Sequence, residues 1–265
     1  MAEPARFFIG NQTAFSAPIG EPFAFALDHA FEAFELFPDG WAAEDVTAAM
    51  RERLRAAAAG RHLRLSVHAA LASDPACAAG RARLARDIEL ARDVNARVVN
   101  IHFAADDCDA YGRTVLALAD QIEPMGITLA LENTVSTGPD DINRLFARLP
   151  ALDPRRAPGI GLCLDIGHAN LYRGTHNDYL GFLDRLGPHV PIVHAHLHEN
   201  WGDADTHLPL FTGPARQDPS GIAGLLARLR RRGFHGSLIL EQWPRPPTLL
   251  AQARDRLRAL AEGAR

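Results

Sequence analysis

Short apolar runs alternate with longer stretches in which apolar residues recur every three or four positions, and this alternation continues from end to end. Runs of the first kind predict strands at 7–10, 33–37, 63–68, 98–103, 127–133, 160–165, 192–198 and 237–242. Stretches of the second kind predict helices, clearest at 75–95, 109–123, 220–232 and 248–262. Leu84, Ile88 and Ala91, and again Leu225, Leu226 and Leu229, have the spacing of a helix face packed on a sheet. Gly60, Gly126, Gly187-Pro188 and Gly233 each punctuate the chain just before a predicted strand. Eight strand–helix units without an interrupting linker predict one α/β domain over 1–265, a (β/α)₈ TIM barrel; an open doubly wound sheet is the runner-up.

Composition narrows the chemistry. No apolar run approaches the roughly 18 residues needed to span a bilayer, and the start MAEPARFFIG lacks a signal-peptide pattern, so a cytoplasmic address is expected and no membrane partner. Cys77, Cys108 and Cys163 are widely spaced and form no CxxC pair, which argues against disulfides and thiolate zinc. All 28 basic residues are arginine, and without a lysine amine the chain cannot be an imine-forming aldolase. A net charge of −4 gives no overall attraction to nucleic acid or anionic membranes.

Polar residues gather where the apolar runs stop. The third strand ends in SVHAA (His68), the fourth in VVNIHF (His102) and the fifth in LALENT (Glu132). The sixth ends in CLDIGH (Asp165, His168), the seventh in HAHLHEN (His194, His196, His198) and the eighth in LILEQW (Glu241). Asp205 and His207 follow in the loop after the seventh. In a barrel these strand ends meet around one mouth, where imidazoles and carboxylates can hold a divalent metal. A lone strand-end histidine means little; six consecutive strands ending in such groups argue for a metal site. His194, His196 and His198 share one face but are spread along the strand by about 3.3 Å per residue. His196 is the expected ligand, with His194 a packed core residue and His198 a solvated residue at the rim.

The succession of two histidines, LEN, DIGH, HAHLHEN, DTHLPL and LE resembles the xylose isomerase-like TIM barrels, over nearly the whole chain from Phe7 to about Leu260. That group includes sugar epimerases, sugar-phosphate isomerase-like proteins and apurinic-site endonucleases. Its epimerases imply one metal on Glu132, Asp165, His196 and Glu241, with His168 touching substrate. Its endonucleases imply up to three metals on His68, His102, Glu132, Asp165, His168, His196, Asp205, His207 and Glu241. The chain departs from the family at Phe211-Thr212-Gly213-Pro214, where GEG often follows, and at HAALAS, where the endonucleases often have tyrosine.

The resemblance implies a divalent-metal isomerase or epimerase, with one to three ions (Zn²⁺ or Mn²⁺ foremost), acting on a sugar-like small molecule through an enediolate. Glu132 and Glu241 would be its acid and base, His168, Trp201 and Arg216 would bind substrate, and Trp243 could wall the pocket. The alternative is a multi-zinc phosphoesterase of the apurinic-site endonuclease type. Nucleic acid is not expected as a partner. Arginines at 61, 64, 155, 156, 228 and 230–232 precede strands, at the end away from the mouth, whereas the mouth loops carry Asp74, Asp106, Asp107, Asp109, Asp140, Asp141, Glu199 and Asp203. The sequence leaves a homo-oligomer open.

Overall fold

A computed structural model describes residues 5–39, 46–103 and 107–263. Eight parallel strands close into one barrel in chain order: β1 (Arg6–Gln12), β2 (Ala33–Leu36), β3 (Arg64–His68), β4 (Val98–His102), β5 (Thr128–Glu132), β6 (Ile160–Asp165), β7 (Ile192–Leu197) and β8 (His235–Leu240). Closure comes from β1, which pairs with β2 on one side and along six positions with β8 on the other. It therefore extends beyond the short run 7–10: Asn11 and Gln12, polar but buried, continue the pairing. The open-sheet alternative is excluded.

Each helix of the outer ring lays an apolar stripe on the barrel. In Ser220–Arg231 the buried residues are Ile222, Leu225, Leu226 and Leu229, the spacing read from the sequence. Inside the barrel, Phe8, Ala33 and Ile239 form one cluster, and Val98, Ala130 and Cys163 another. Above these apolar residues the interior turns polar, which confines reactive groups to the C-terminal ends of the strands. Two short helices, Ile166–Leu171 and Tyr179–Asp184, follow β6. Cys163 is buried, Cys108 half-buried and Cys77 exposed, all unpaired. Among the described residues no helix is long and apolar enough to cross a membrane.

Candidate metal centre

Strand register brings the polar ends together. His102 stands opposite Glu132 across β4 and β5, and Asp165 opposite His196 across β6 and β7. Glu241 follows β8 directly and has its backbone N–H on the Leu197 carbonyl. The result is a buried group of Glu132, Asp165, His196 and Glu241 whose ligand atoms all lie within 4.8 Å of one another. His196 Nδ1 is 3.4 Å from Glu132 Oε2, 3.8 Å from Asp165 Oδ2 and 3.2 Å from Glu241 Oε2.

Two further groups adjoin it. His68 Nε2 lies 3.2 Å from Glu132 Oε2, and His102 Nε2 3.7 Å from Glu132 Oε1. On the other side His168, His198, Asp205 and His207 also converge within 4.8 Å. There His168 Nε2 is 3.2 Å and His207 Nε2 3.3 Å from Asp205 Oδ2.

Buried polar atoms in a folded protein normally have hydrogen-bond partners. Glu132 Oε1, His196 Nδ1 and Glu241 Oε2 are buried within this group and have none. Such orphaned donor atoms of ligand type fit a divalent cation. The surrounding contacts hold the rest of each side chain in place. Asn100 donates to Glu132, His68 Nδ1 and His168 Nδ1 lie against the carbonyls of Ala69 and Asn133, and Asp165 Oδ1 accepts the His168 N–H at 2.7 Å. The last bond caps the helix Ile166–Leu171, so the turn that orients His168 also fixes Asp165. Asn133 locks β5 to β6 through two 2.9 Å bonds with the Asp165 backbone.

The electrostatics follow from packing acids and imidazoles out of water. Burial alone would raise the Glu132 carboxyl, but His196, His102 and His68 outweigh it and hold it well below the usual range. The Asp165 carboxyl is likewise depressed, against burial, by His168 and His198. Burial opposes charge on His68, yet Glu132 pushes it up to about 9. Asp165, Asp205 and Glu132 drive His168 up to about 12, and Asp205 with Glu241 drives His207 up to about 9. Without metal, protons hold the cluster together; a metal cation would take their place.

All nine candidate ligands fall within these groups. His194 is packed in the core, as expected, with Nε2 2.8 Å from Glu35. His198 departs from expectation: instead of a solvated rim position it is 1% exposed, with Nε2 3.1 Å from Asp165 Oδ2 and its ring stacked 3.8 Å from that of His207. The cause is the segment after β7, which folds back through a bridge between Glu199 and Leu208 and covers it. Glu199 is also no rim charge; it is buried and accepts the backbone N–H groups of Thr212, Gly213 and Ala215. Asp109, Asp140 and Asp141 pair with Arg148, Arg185 and Arg144, so the mouth is less acidic than its sequence suggests; Asp106 lies outside the described residues.

The proposed substrate binders are scattered. His168 is in the cluster, whereas Trp201, 63% exposed, flanks a recess behind His198 together with Tyr179 and Asn170. Arg216 lines a separate recess with Phe211, Leu249 and Arg256. Trp243 walls a recess of about 370 Å³ that reaches Glu241 and His207. A wider recess, about 1180 Å³, is at the opposite end of the barrel among Arg6, Arg230, Arg231 and Arg232, far from the cluster. Sequence reasoning missed Glu35, which bridges His194 and His196. A glutamate inside the apolar run Ala33–Leu36 was the available signal.

The family model described as "Xylose isomerase-like TIM barrel" matches residues 23–262. An uncharacterized protein of Methanocaldococcus jannaschii, MJ1311, is 24% identical over 170 residues; the match covers 58% of this chain and 53%, about half, of that protein's length. A structure titled as a D-tagatose 3-epimerase-like protein superposes with a TM-score of 0.75 at 21% identity, covering 97% of both chains. One titled L-ribulose 3-epimerase gives a TM-score of 0.67 at 19% identity, covering 97% of this chain and 95% of that one. At these identities the two structures speak to the fold.

Proposed function

The chain belongs to the xylose isomerase-like TIM barrel family, and from that premise we propose that it is a divalent-metal-dependent isomerase or epimerase of a sugar-like small molecule. The observation that carries the reading is the pair Glu132 and Glu241, both aimed at His196 Nδ1 from opposite sides of the barrel mouth. Glu132, Asp165, His196 and Glu241 would hold the ion; three carboxylates and one imidazole make an oxygen-rich set suited to Mn²⁺, Co²⁺ or Zn²⁺. Such an ion supplies a Lewis acid that polarises a substrate carbonyl and offsets the charge that builds when the neighbouring carbon loses its proton.

The chain's own groups move that proton. Glu241 borders the recess from which a substrate would approach, and Glu132 stands in the same buried cluster. One carboxylate takes the proton from carbon, and the other carboxyl returns a proton to the same or the adjacent carbon. His168 has both ring nitrogens engaged, by the Asn133 carbonyl and by Asp205, so it orients a substrate hydroxyl only by exchanging its Asp205 contact. Trp201 and Arg216, in their separate recesses, are outer contacts at most for a small sugar.

One observation favours a multi-zinc phosphoesterase instead: the imidazole-rich group of His168, His198, Asp205 and His207 adjoins the first and could hold further ions. Incubation of metal-loaded protein with a panel of ketoses and aldoses in D₂O separates the two. Proton transfer places deuterium on the reacting carbon whenever the base exchanges with solvent, and Glu132→Gln and Glu241→Gln each cut turnover by ~10²-fold or more while metal is retained. Full turnover by both variants with metal bound would exclude the mechanism, and metal-dependent cleavage of a phosphodiester without C–H exchange would put the second reading first.

A further inference from the structure

At the end of the barrel away from the metal centre, three strands begin among arginines that lack counter-charges. Arg6 opens β1, Arg64 opens β3 and Arg97 immediately precedes β4. The guanidinium carbons of Arg6 and Arg64 lie over the Phe8 ring, 4.5 and 4.0 Å from its centroid. Phe8 is buried with Ala33 and Ile239 inside the barrel, so the two cations stand on the barrel floor. His235, opposite Arg6 at the start of β8, sets its ring 5.5 Å from that of Phe8. Arg6 and Arg97 are exposed and Arg64 is half-buried, so solutes reach this floor from solvent.

The arrangement is costly as it stands. Among the described residues none of the three guanidiniums has an ion-pair or hydrogen-bond partner, and even the buried Nε of Arg64 is left without one. The nearby acid, Glu32, takes the Arg64 backbone N–H on its carbonyl, but its carboxylate lies 3.5 Å from Arg258. Burial, then Arg97, then Arg6 act against the charge on Arg64 and lower its pKa from the ordinary arginine value. Stacking on Phe8 offsets part of this cost and leaves the N–H donors unused.

Uncompensated guanidiniums call for an anion, and their forked donors match phosphate oxygens. Three positive charges favour a group of nearly two negative charges with three acceptor oxygens over a carboxylate with one charge. The recess of about 1180 Å³ adjoins this floor, sharing Arg6 and His235 and running past the half-buried Phe7. It has room for an organic group attached to the anion.

We propose that the floor of the barrel is a phosphate-binding site, with Arg6, Arg64 and Arg97 holding the dianion and the adjoining recess receiving any organic group it carries. The inference stands apart from the isomerase reading. Strand β3 carries Arg64 at one end and His68 at the other, about 13 Å apart at the usual strand rise, so the site does not touch the metal centre.

Calorimetric titration of the purified full chain with inorganic phosphate, phenyl phosphate and benzoate tests this. Both phosphates are expected to bind, phenyl phosphate tenfold or more tighter than benzoate, and to weaken as salt rises from about 0.05 to 0.3 M. Phenyl phosphate binding more tightly than inorganic phosphate assigns the site to an ester, and equal binding assigns it to the free ion; both agree with the proposal. Arg64→Met keeps an apolar stem over Phe8 and removes the guanidinium. It should weaken phosphate tenfold or more, with metal content unchanged and the midpoint in phosphate-free buffer equal or higher, since a repelled charge has gone. A purely structural Arg64 would instead lower the midpoint.

Absence of phosphate binding, benzoate as tight as phenyl phosphate, or unchanged affinity in Arg64→Met would overturn the proposal. Chelation should leave phosphate affinity as it was; its loss would put the phosphate on the metal and count equally against the floor. A single-stranded oligonucleotide held far more tightly by the same arginines would replace the small dianion with nucleic acid. Should Arg64→Met misfold, Arg6→Met and Arg97→Met at exposed positions are each expected to weaken binding severalfold, and unchanged affinity in both rejects the site.

Discussion

His196 turns one ring nitrogen to Glu132, Asp165 and Glu241 and the other toward Glu35, whose Oε1 lies 2.8 Å away. Glu35 is fully buried, anchored by the Ser66 hydroxyl at 2.8 Å, and His196 with His194 holds its carboxyl well below the usual range against the opposing effect of burial. A carboxylate behind a metal-binding imidazole fixes the ring and raises its basicity. Glu35→Gln should therefore weaken metal retention by about 10- to 100-fold in a chelator competition, with the far-ultraviolet dichroism of the barrel unchanged; equal retention would remove Glu35 from this role. Protonation acts on the same atoms. His68 and His207, raised to about 9 from an ordinary 6.5, carry protons at neutral pH without metal. Their pairing thus stabilises the metal-free protein fully below about 6.5 and is lost as pH rises through about 9. Metal uptake should release protons in weakly buffered solution, and affinity should climb over the same interval; uptake without proton release would contradict the assignment. At this scale the sequence exposed the candidate ligands His68, His102, Glu132, Asp165 and Glu241 because each ends an apolar run. It hid Glu35, which sits within such a run.

Among the elements, the short helix Ile166–Leu171 lies hard against a neighbouring imidazole. A Cβ built on Gly167 would overlap the His198 imidazole, which also stacks on the His207 ring with centroids 3.8 Å apart. Gly167→Ala, although favourable to helix in isolation, should displace His198 from Asp165 and cost about 1–3 kcal/mol of stability through overpacking. Urea unfolding with and without metal measures it, and a variant as stable as the parent would show that the ring can move. The eight strands were legible as elements because parallel strands buried on both faces read as short apolar runs. Six-residue helices are too short to show a period, so Ile166–Leu171 and Tyr179–Asp184 were not. The loop after β7 was the other blind spot. Its return through Glu199 and Leu208 is a tertiary contact, and it turned a supposed rim histidine and a supposed rim glutamate into buried parts of the mouth.

For the molecule as a whole, the barrel separates two tasks. Phe8, Ala33 and Ile239 pack the lower interior with apolar side chains, while the upper interior concentrates acids and imidazoles that gain their partners from one another. A ligand that binds the native site at a hundredfold excess over its dissociation constant stabilises by about 2.7 kcal/mol. Chelation should thus lower the thermal midpoint by roughly 5–10 °C for a chain of this size, with recovery on adding Mn²⁺ or Zn²⁺. A midpoint indifferent to both treatments would mean that the cluster holds no ion tightly.

The candidate ligands are dealt out along most of the chain, from His68 at the end of β3 to Glu241 just past β8. During synthesis, a nascent chain that has emerged only as far as β7 owns imidazoles and carboxylates but no assembled centre, because Glu241 has yet to appear and β1 still awaits its neighbour. Metallation would then be an act of completion. An ion held by Glu132, Asp165, His196 and Glu241 would be captured by the finished barrel, and a chain interrupted before its last strand would lack that site.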